Sequence, residues 1–171
     1  MIKQDFARKR EIFEEDGASV GTLRLMLSDG TSANVIYRMV RWCARYRLIP
    51  LCYALQYLNK LLNSCVIGYG AQFGSGFVIM HPVGIVINSK VRGGNNITLE
   101  SGVVIGDEKG QSPVLGNNVF VGAGAKIIGP VKIGNNVKIG ANAVVTKDAP
   151  DNATMLGIPA KPLVKKQESQ A

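Results

Sequence analysis

The sequence predicts a mainly β protein: a parallel β-solenoid of six-residue repeats, preceded by a short helical segment. From residue 67 onward an apolar residue recurs at every sixth position, glycine often follows it, and a small or β-branched residue lies four places after it. Of the 14 positions from Ile67 to Val145 in steps of six, 13 are Leu, Ile, Val or Phe. Neither an isolated helix nor a hairpin has this period, whereas stacked coils of short strands do.

Each short strand of such a solenoid supplies one inward side chain, and every third repeat returns to the same face. Residues eighteen apart are therefore expected to stack, so that the coils together bury a column of Ile and Val that no single coil could bury. The one break in the repeat is Lys109, in the polar segment DEKGQSP. Its glycine and proline predict a loop that leaves the coil.

The first 65 residues have helical spacing instead. A weakly amphipathic helix is expected to end at Gly17, and Ser32 is a plausible N-cap for a second helix. Pro50 should separate that second helix from a third helical stretch. The apolar stripe of the second helix comprises Val35, Met39, Trp42 and Tyr46, and that of the third comprises Leu51, Leu55, Leu58 and Leu62. We therefore divide the chain into a helical segment (1–65), a solenoid domain (66–163) and a flexible tail (164–171).

Charge and composition narrow the function. The 171 residues include 20 Lys and Arg against 12 Asp and Glu, and no acidic residue lies between Asp29 and Glu100. This net charge of +8 suits an anionic ligand or surface, or is a solvated basic face. A single histidine, His81, excludes sites built from several histidines. The three cysteines lack CxxC spacing and predict reduced thiols of a cytosolic protein.

The sequence also argues against a secreted or membrane-spanning protein and against a nucleic-acid-binding protein. The sequence contains no apolar signal region and no long uncharged apolar run, so neither secretion nor a membrane span is expected. Nucleic-acid binding is not expected either, because no aromatic residues interleave with the basic ones and no known module is present.

The stretch from Ile67 to Leu163 resembles the hexapeptide-repeat acyltransferases, whose solenoid is a left-handed parallel β-helix. The segments HPVGIVIN (81–88), VGAGAKIIGPVKIGNNVKIGANAVV (121–145) and GIPAKPL (157–163) are similar to the serine acetyltransferase branch. That branch includes O-acetyltransferases acting on bacterial exopolysaccharides and capsules. The resemblance implies an acyltransferase that uses acetyl-CoA and no metal, and a homotrimer with its active site between subunits.

By this resemblance His81 is the general base, which removes the proton of an acceptor hydroxyl as that hydroxyl attacks the thioester. The pantetheine arm of acetyl-CoA would lie between the coils of two subunits, along the small side chains of GAGAK (122–126). Asn88 is expected to contact the acceptor. The residues expected to bind the cofactor are Gly106, Gly122, Ala123, Ala141, Lys147 and Lys161.

At four positions the residue differs from the one that the serine acetyltransferases carry, and these differences determine which acceptor we expect. Val66 and Met80 stand where that branch carries aspartates, Ser89 where it carries a glutamate, and Ser112 where it carries a second histidine. The polysaccharide acetyltransferases share the form His-x-x-x-x-Val-Ile-Asn. We therefore expect acetylation of a sugar hydroxyl of an exopolysaccharide, capsule or lipid-linked precursor. The alternatives are a serine O-acetyltransferase of cysteine biosynthesis and, from another class, a non-catalytic solenoid scaffold.

Two questions stay open at this point. The group that orients the His81 ring is expected to be a backbone carbonyl, with Glu100, Asp107 and Glu108 as alternatives. The helical segment is expected to cap the first coil; alternatively, residues 33–63 lie on an anionic membrane surface through their arginines and aromatic residues. The expected location is the cytoplasm or the inner face of the cell membrane.

Overall fold

The computed structural model describes residues 1–163 of the chain; the predicted tail, 164–171, lies outside them. Four helices come first: α1 (Ile2–Glu15), α2 (Thr22–Leu27), α3 (Thr31–Arg45) and α4 (Ile49–Asn63). Short strands follow: β1 (Val66–Ile67), β2 (Gln72–Phe73), β3 (Val78–Ile79), β4 (Val86–Ile87), β5 (Arg92–Gly93), β6 (Thr98–Leu99), β7 (Val104–Gly106), β8 (Val114–Leu115), β9 (Phe120–Val121), β10 (Lys126–Ile128), β11 (Lys132–Ile133), β12 (Lys138–Ile139), β13 (Val144–Val145), β14 (Thr154–Leu156) and β15 (Lys161–Pro162).

These strands form three sheets, the faces of a prism. Face A contains β1, β4, β7, β10 and β13; face B contains β2, β5, β8 and β11; face C contains β3, β6, β9, β12, β14 and β15. Neighbours on each face are parallel, except that β15 runs antiparallel to β14. Because neighbours on a face are mostly three strands apart in sequence, the chain winds round the prism about four times. The predicted β-solenoid with an N-terminal helical segment is confirmed.

The coils differ in length, which corrects the expected spacing of eighteen. On face A the residue pairs are Val66 with Val86, Val86 with Val104, Val104 with Lys126, and Lys126 with Val144. The first coil therefore contains two extra residues and the third contains four. Two and four together make one hexapeptide, so the six-residue register resumes after the third coil. The sequence pattern consequently hides the first insertion.

Stacked aliphatic side chains fill the interior of the prism. On face A the inward residues are at most 3% exposed; they are Ile67, Ile87, Ile105, Ile127 and Val145. Face B contains one gap in this column, at Gly93. The Phe73 ring of the coil below occupies that space, and a Cβ at position 93 would overlap it. Large and small residues thus complement each other between coils, as close packing requires.

Helix α3 closes the open end of the first coil. Ala33 and Tyr37 belong to the solenoid core, and the Tyr37 ring packs edge-on against Phe73 and Phe77 at centroid distances of 6.0 and 5.2 Å. The Tyr37 hydroxyl accepts a hydrogen bond from the Phe73 N–H at 3.0 Å and donates to the Ala71 carbonyl at 3.2 Å. The expected capping role of the helical segment is therefore observed.

Buried polar side chains satisfy further strand groups of this coil. Arg38 donates to both carboxylate oxygens of Asp5, at 2.7 and 2.9 Å, and Asp5 also accepts from the Phe77 N–H at 3.1 Å. Asn34 accepts from the Ile79 N–H at 2.7 Å and donates to the Phe77 carbonyl at 2.5 Å. No coil precedes the first one in residues 1–163, so these side chains supply the partners that a preceding strand would supply.

Helix α3 differs from expectation in two respects, the direction of its apolar stripe and its N-cap. The predicted stripe of α3 exists, but it faces away from the core: Met39, Trp42 and Tyr46 are 46, 58 and 60% exposed. The face that packs inward carries Ala33, Tyr37 and the buried polar residues instead. Gly30, in the left-handed conformation, is the N-cap rather than Ser32. Pro50 lies at the start of α4, as expected.

Shortening a side chain of the buried column should lower the stability of the protein. Ile105→Ala is expected to lower the free energy of unfolding by about 2–5 kcal/mol, because Ile105 is fully buried between Ile87 and Ile127. Val86→Ala, on the same face but 45% exposed, is the control and should cost less than about 1 kcal/mol. Urea unfolding followed by circular dichroism measures both. Equal losses would contradict the packing described.

Candidate active site

His81 lies on the insertion in the first coil. The corner between β3 and β4 holds residues 80–85, whereas the corresponding corners of the later coils hold only four residues each: 100–103, 122–125 and 140–143. We call this row of corners the C–A corner. The side chain of His81 is 55% exposed, so the ring is accessible to a substrate.

The partner of the His81 ring comes from the helical segment. Nδ1 of His81 lies 3.3 Å from Oδ2 of Asp29, in the turn between α2 and α3. A bond from Nδ1–H to a carboxylate fixes the tautomer and leaves Nε2 free to accept a proton. Within this chain the partner is therefore Asp29, and not the expected backbone carbonyl, Glu100, Asp107 or Glu108. The contact joins two separate segments of the chain, and no repeat or motif signals it.

A close approach of backbones brings Asp29 to this position. Gly30 has φ +74°, and a Cβ there would overlap the carbonyl oxygen of Ile79 and lie 3.0 Å from that of Met80. Only glycine permits both the conformation and the approach. Because Ile79 and Met80 directly precede His81, the same approach places the Asp29 carboxylate beside the ring.

A buried lysine holds the turn in place. Nζ of Lys9, on α1, donates to the carbonyl of Asp29, to Oγ1 of Thr31 at 3.0 Å and to the carbonyl of Ile79 at 3.3 Å. Burial lowers the pKa of Lys9 from its usual 10.5 to about 8, and the nearby charge of Asp29 opposes this shift. Lys9 thus links α1, the Asp29 turn and strand β3 behind His81.

A cleft of about 570 Å³ opens beside Met80, the neighbour of His81, between the second half of α1 and face C. Side chains of both charge signs line it: Arg8 and Glu15 of α1, Asp16 directly after this helix, Glu100 directly after β6, and Lys138 of β12. Such a lining suits a small ligand that carries both a cationic and an anionic group. The cleft was not predicted, because its charged residues come from two distant parts of the sequence.

Three of the expected cofactor residues meet at the C–A corner. Gly122, Ala123 and Ala141 lie in the third and fourth coils, in the same row as His81. A Cβ at Gly122 would lie 2.8 Å from the amide nitrogen of Ala141, so stacking of the coils alone already demands glycine there. Ala123 and Ala141 are exposed and leave the backbone at this corner open to an elongated ligand.

The other expected cofactor residues lie elsewhere. Gly106 and Lys147 are at the opposite edge of face A, where the chain passes to face B. Lys161 is on β15, at the far end of face C. Both lysines are exposed. Their contact with the cofactor remains a prediction.

Asn88 holds the loop that leaves the third coil. Its Nδ2 donates to Asp107 at 3.0 Å, while its Oδ1 accepts from the Lys90 N–H at 2.9 Å and from Ser112 Oγ at 3.2 Å. These bonds join the base of the segment DEKGQSP to the coil below. They give Asn88 a structural role, and its expected contact with an acceptor stays a prediction.

Comparison with known proteins places this geometry in a family. Residues 112–147 match the family model described as bacterial transferase hexapeptide (six repeats). The chain is 38% identical over 166 residues to the serine acetyltransferase of Synechococcus elongatus, which covers 94% of this chain and 68% of that protein. It is 35% identical over 169 residues to the serine acetyltransferase of Helicobacter pylori strain J99, which covers 96% of this chain and 99% of that protein.

Solved structures agree. The serine acetyltransferase of Neisseria gonorrhoeae in complex with serine has a TM-score of 0.86 at 33% identity, covering 94% of this chain and 67% of that one. A serine acetyltransferase in complex with CoA has a TM-score of 0.85 at 27% identity, covering 95% of this chain and 69% of that one.

The solenoid and its repeat therefore define a hexapeptide-repeat transferase. More specifically, the identity over nearly the whole length shows that the chain belongs to the serine acetyltransferase family. The predicted acyltransferase activity is confirmed, and the alternative of a non-catalytic scaffold is wrong.

The expected sugar acceptor is also wrong, because the relatives that are 35–38% identical over nearly the whole chain are serine acetyltransferases. That expectation rested on the residues at Val66, Met80, Ser89 and Ser112, all within the solenoid. In the structure, helix α1 brings charged side chains to the cleft beside Met80. A comparison confined to solenoid motifs does not reveal them.

Gly30→Ala should separate Asp29 from His81, because alanine fits neither the φ of +74° nor the contact with Ile79. As His81 is the only histidine, its ring ¹⁵N resonances report the tautomer without assignment by mutagenesis. We expect the wild type to hold the proton on Nδ1 and the variant to shift it toward Nε2. Gly21→Ala, at a position with open space, is the control. An unchanged tautomer in a folded Gly30→Ala variant would contradict the proposed geometry.

Lys9 should give the stability of the protein a pH dependence. Its pKa is near 10.5 in an unfolded chain and about 8 when folded, so between these values the unfolded state binds more protons. Stability should therefore rise with pH across this window, as deprotonation removes the cost of burying a cation. Urea unfolding at several pH values should show this rise in Lys3→Met, which alters an exposed lysine, but not in Lys9→Met. If the free energy of unfolding rose equally with pH in both variants, Lys9 would not be the buried cation responsible for the rise.

Proposed function

We propose that the protein is a serine O-acetyltransferase that transfers the acetyl group of acetyl-CoA to the hydroxyl of L-serine, a step of cysteine biosynthesis. The observation that carries this proposal is the His81–Asp29 pair, which lies at a solenoid corner beside a cleft of mixed charge. Membership of the serine acetyltransferase family supports it, as do the complexes that relatives form with serine and with CoA.

His81 acts as the general base. With its proton on Nδ1 directed to Asp29, the ring presents the lone pair of Nε2 to the serine hydroxyl. As the proton passes to Nε2, the hydroxyl oxygen bonds to the thioester carbonyl carbon. The C–S bond then breaks, and the imidazolium returns the proton to the sulfur of CoA. Asp29 stabilises the cationic ring during this exchange and keeps it oriented.

The cleft beside Met80 recognises the amino-acid part of serine. Its carboxylates, Glu100 and Asp16, suit the α-ammonium group, while Arg8 and Lys138 suit the α-carboxylate. Arg8 is held by ion pairs with Glu11 at 3.2 Å and Glu15 at 3.1 Å, which fix the guanidinium at the cleft. A neutral sugar would offer no charged group to Glu100, Asp16 or Lys138.

Acetyl-CoA binds along the C–A corner. The small side chains of Ala123 and Ala141 let the pantetheine arm approach the backbone, which leads the thioester toward His81. We propose Lys147 and Lys161 as the cations that contact the phosphate groups of acetyl-CoA. The homotrimer, with this groove between two subunits, is part of the same proposal.

Release of CoA thiol from acetyl-CoA in the presence of L-serine tests the chemistry. His81→Ala should lower kcat by about 100-fold or more, and Asp29→Asn by about 10- to 100-fold, because each impairs proton removal. The KM for serine should change little in Asp29→Asn, and Asp29→Glu should recover part of the rate. Turnover with serine that is independent of His81, or no turnover at all, would contradict the proposal.

Arg8→Gln tests the acceptor site in the same assay. It should raise the KM for L-serine by about tenfold without changing the KM for acetyl-CoA, since one hydrogen bond to a charged group is lost. Arg10→Gln, on the same helix but outside the cleft, is the control and should leave both constants unchanged. A rise in both constants would instead indicate a structural role for Arg8.

A further inference from the structure

The outer side of the α3–α4 hairpin is apolar and uncovered. Seven apolar side chains of the two helices and their connection are 41–66% exposed; they are Met39, Trp42, Tyr46, Leu51, Leu58, Leu61 and Leu62. We call this surface the hairpin face. Apolar residues scattered singly on a surface are ordinary, but several exposed together on one pair of helices indicate an interaction site. Neither the chemistry at His81 nor the capping of the first coil uses it.

The charge around the hairpin face has one sign. Between Asp29 and Glu100 the sequence contains no carboxylate, while α3, α4 and their connection carry Arg41, Arg45, Arg47 and Lys60. Within residues 1–163, none of these four cations lies within 4.0 Å of an acidic side chain. The fifth cation of the hairpin, Arg38, is already neutralised by its buried pair with Asp5. The surface therefore complements an anionic partner.

A basic cavity adjoins this surface. It has a volume of about 670 Å³ and lies between the start of α1, helix α3 and the edge of face B. Lys3, Arg41, Arg45 and Trp42 line it, and its lining contains no carboxylate. Arg41 donates one N–H to the carbonyl of Tyr69 at 3.1 Å, which positions the guanidinium. Several cations beside an indole suit a phosphate group that hangs from an apolar body.

We propose that the hairpin face docks on an anionic lipid bilayer. The leucines of α4, with Trp42 and Tyr46, enter the interfacial layer, while the surrounding arginines and lysines contact phosphate headgroups. No helix among residues 1–163 is long and apolar enough to cross a membrane, so the contact is peripheral. Tyrosine and tryptophan suit this depth, because each has an apolar ring and a polar atom.

A second copy of the chain is a less favourable occupant. Two hairpin faces in contact would place the cations of both copies close together, with no carboxylate on either helix pair to compensate them. An anionic membrane both covers the apolar side chains and neutralises the cations. The observations therefore favour lipid over self-association through this face.

Co-sedimentation of the full chain with vesicles tests the proposal. We expect binding to vesicles of equal parts phosphatidylglycerol and phosphatidylcholine, weakened by salt, and little binding to phosphatidylcholine alone. Arg45→Glu/Arg47→Glu should lower the partition coefficient at least about tenfold. Arg24→Glu/Lys132→Glu makes the same charge change elsewhere on the surface and should have little effect. Equal binding to both vesicle types, or none, would overturn the proposal.

The apolar contribution is tested by Leu62→Asp, with Val114→Asp, an exposed residue of face B, as control. Only Leu62→Asp should lose vesicle binding, and neither variant should change the molar mass in solution measured by light scattering. A lower molar mass for Leu62→Asp with vesicle binding retained would identify the face as a contact between copies and overturn the lipid proposal. CoA release with soluble substrates should be unchanged in the arginine variant, so this test is independent of the proposed function.

Discussion

The first coil of a solenoid has strand groups on one side that no earlier coil can satisfy. In this protein the helical segment meets that demand: Tyr37 fills the end of the apolar column, while Asp5, Asn34 and Arg38 bond to the strand backbone. His81, the proposed general base, lies on the same first coil. Covering the open end therefore also brings the helical segment to the proposed active site, and the His81–Asp29 pair depends on that contact.

The polar groups beneath the active site form one connected arrangement. Lys9 reaches the Asp29 turn, Thr31 and strand β3 from α1, while Gly30 allows the turn to lie against that strand. The same helix, with the residue that follows it, lines the cleft through Arg8, Glu15 and Asp16. One side of α1 is buried and supports the Asp29 turn beside His81, and another side of the same helix lines the cleft proposed for the acceptor. The proposed acceptor site is therefore built from both the helical segment and the solenoid.

The sequence was sufficient to predict the solenoid, since the period of six has no other physical explanation, and it located His81 and the loop at Lys109. It did not predict that Asp29 contacts His81, because a contact between a helical turn and a solenoid corner produces no periodic pattern in the sequence. The inserted residues at His81 were hidden because a second insertion restored the register. The acceptor was wrongly inferred from what Val66, Met80, Ser89 and Ser112 lack, since absent groups say nothing about replacements from another segment.

The unequal coils have an evolutionary consequence. Backbone pairing and the buried columns need only the strands in register, so each corner can gain or lose residues without disturbing the layers above and below. The longer corner carries His81, the proposed base, and the longer loop is tied by Asn88 to the coil beneath it. Heritable variation in such a scaffold can therefore accumulate at the corners and in the cap, which diversifies substrates while the stack preserves foldability.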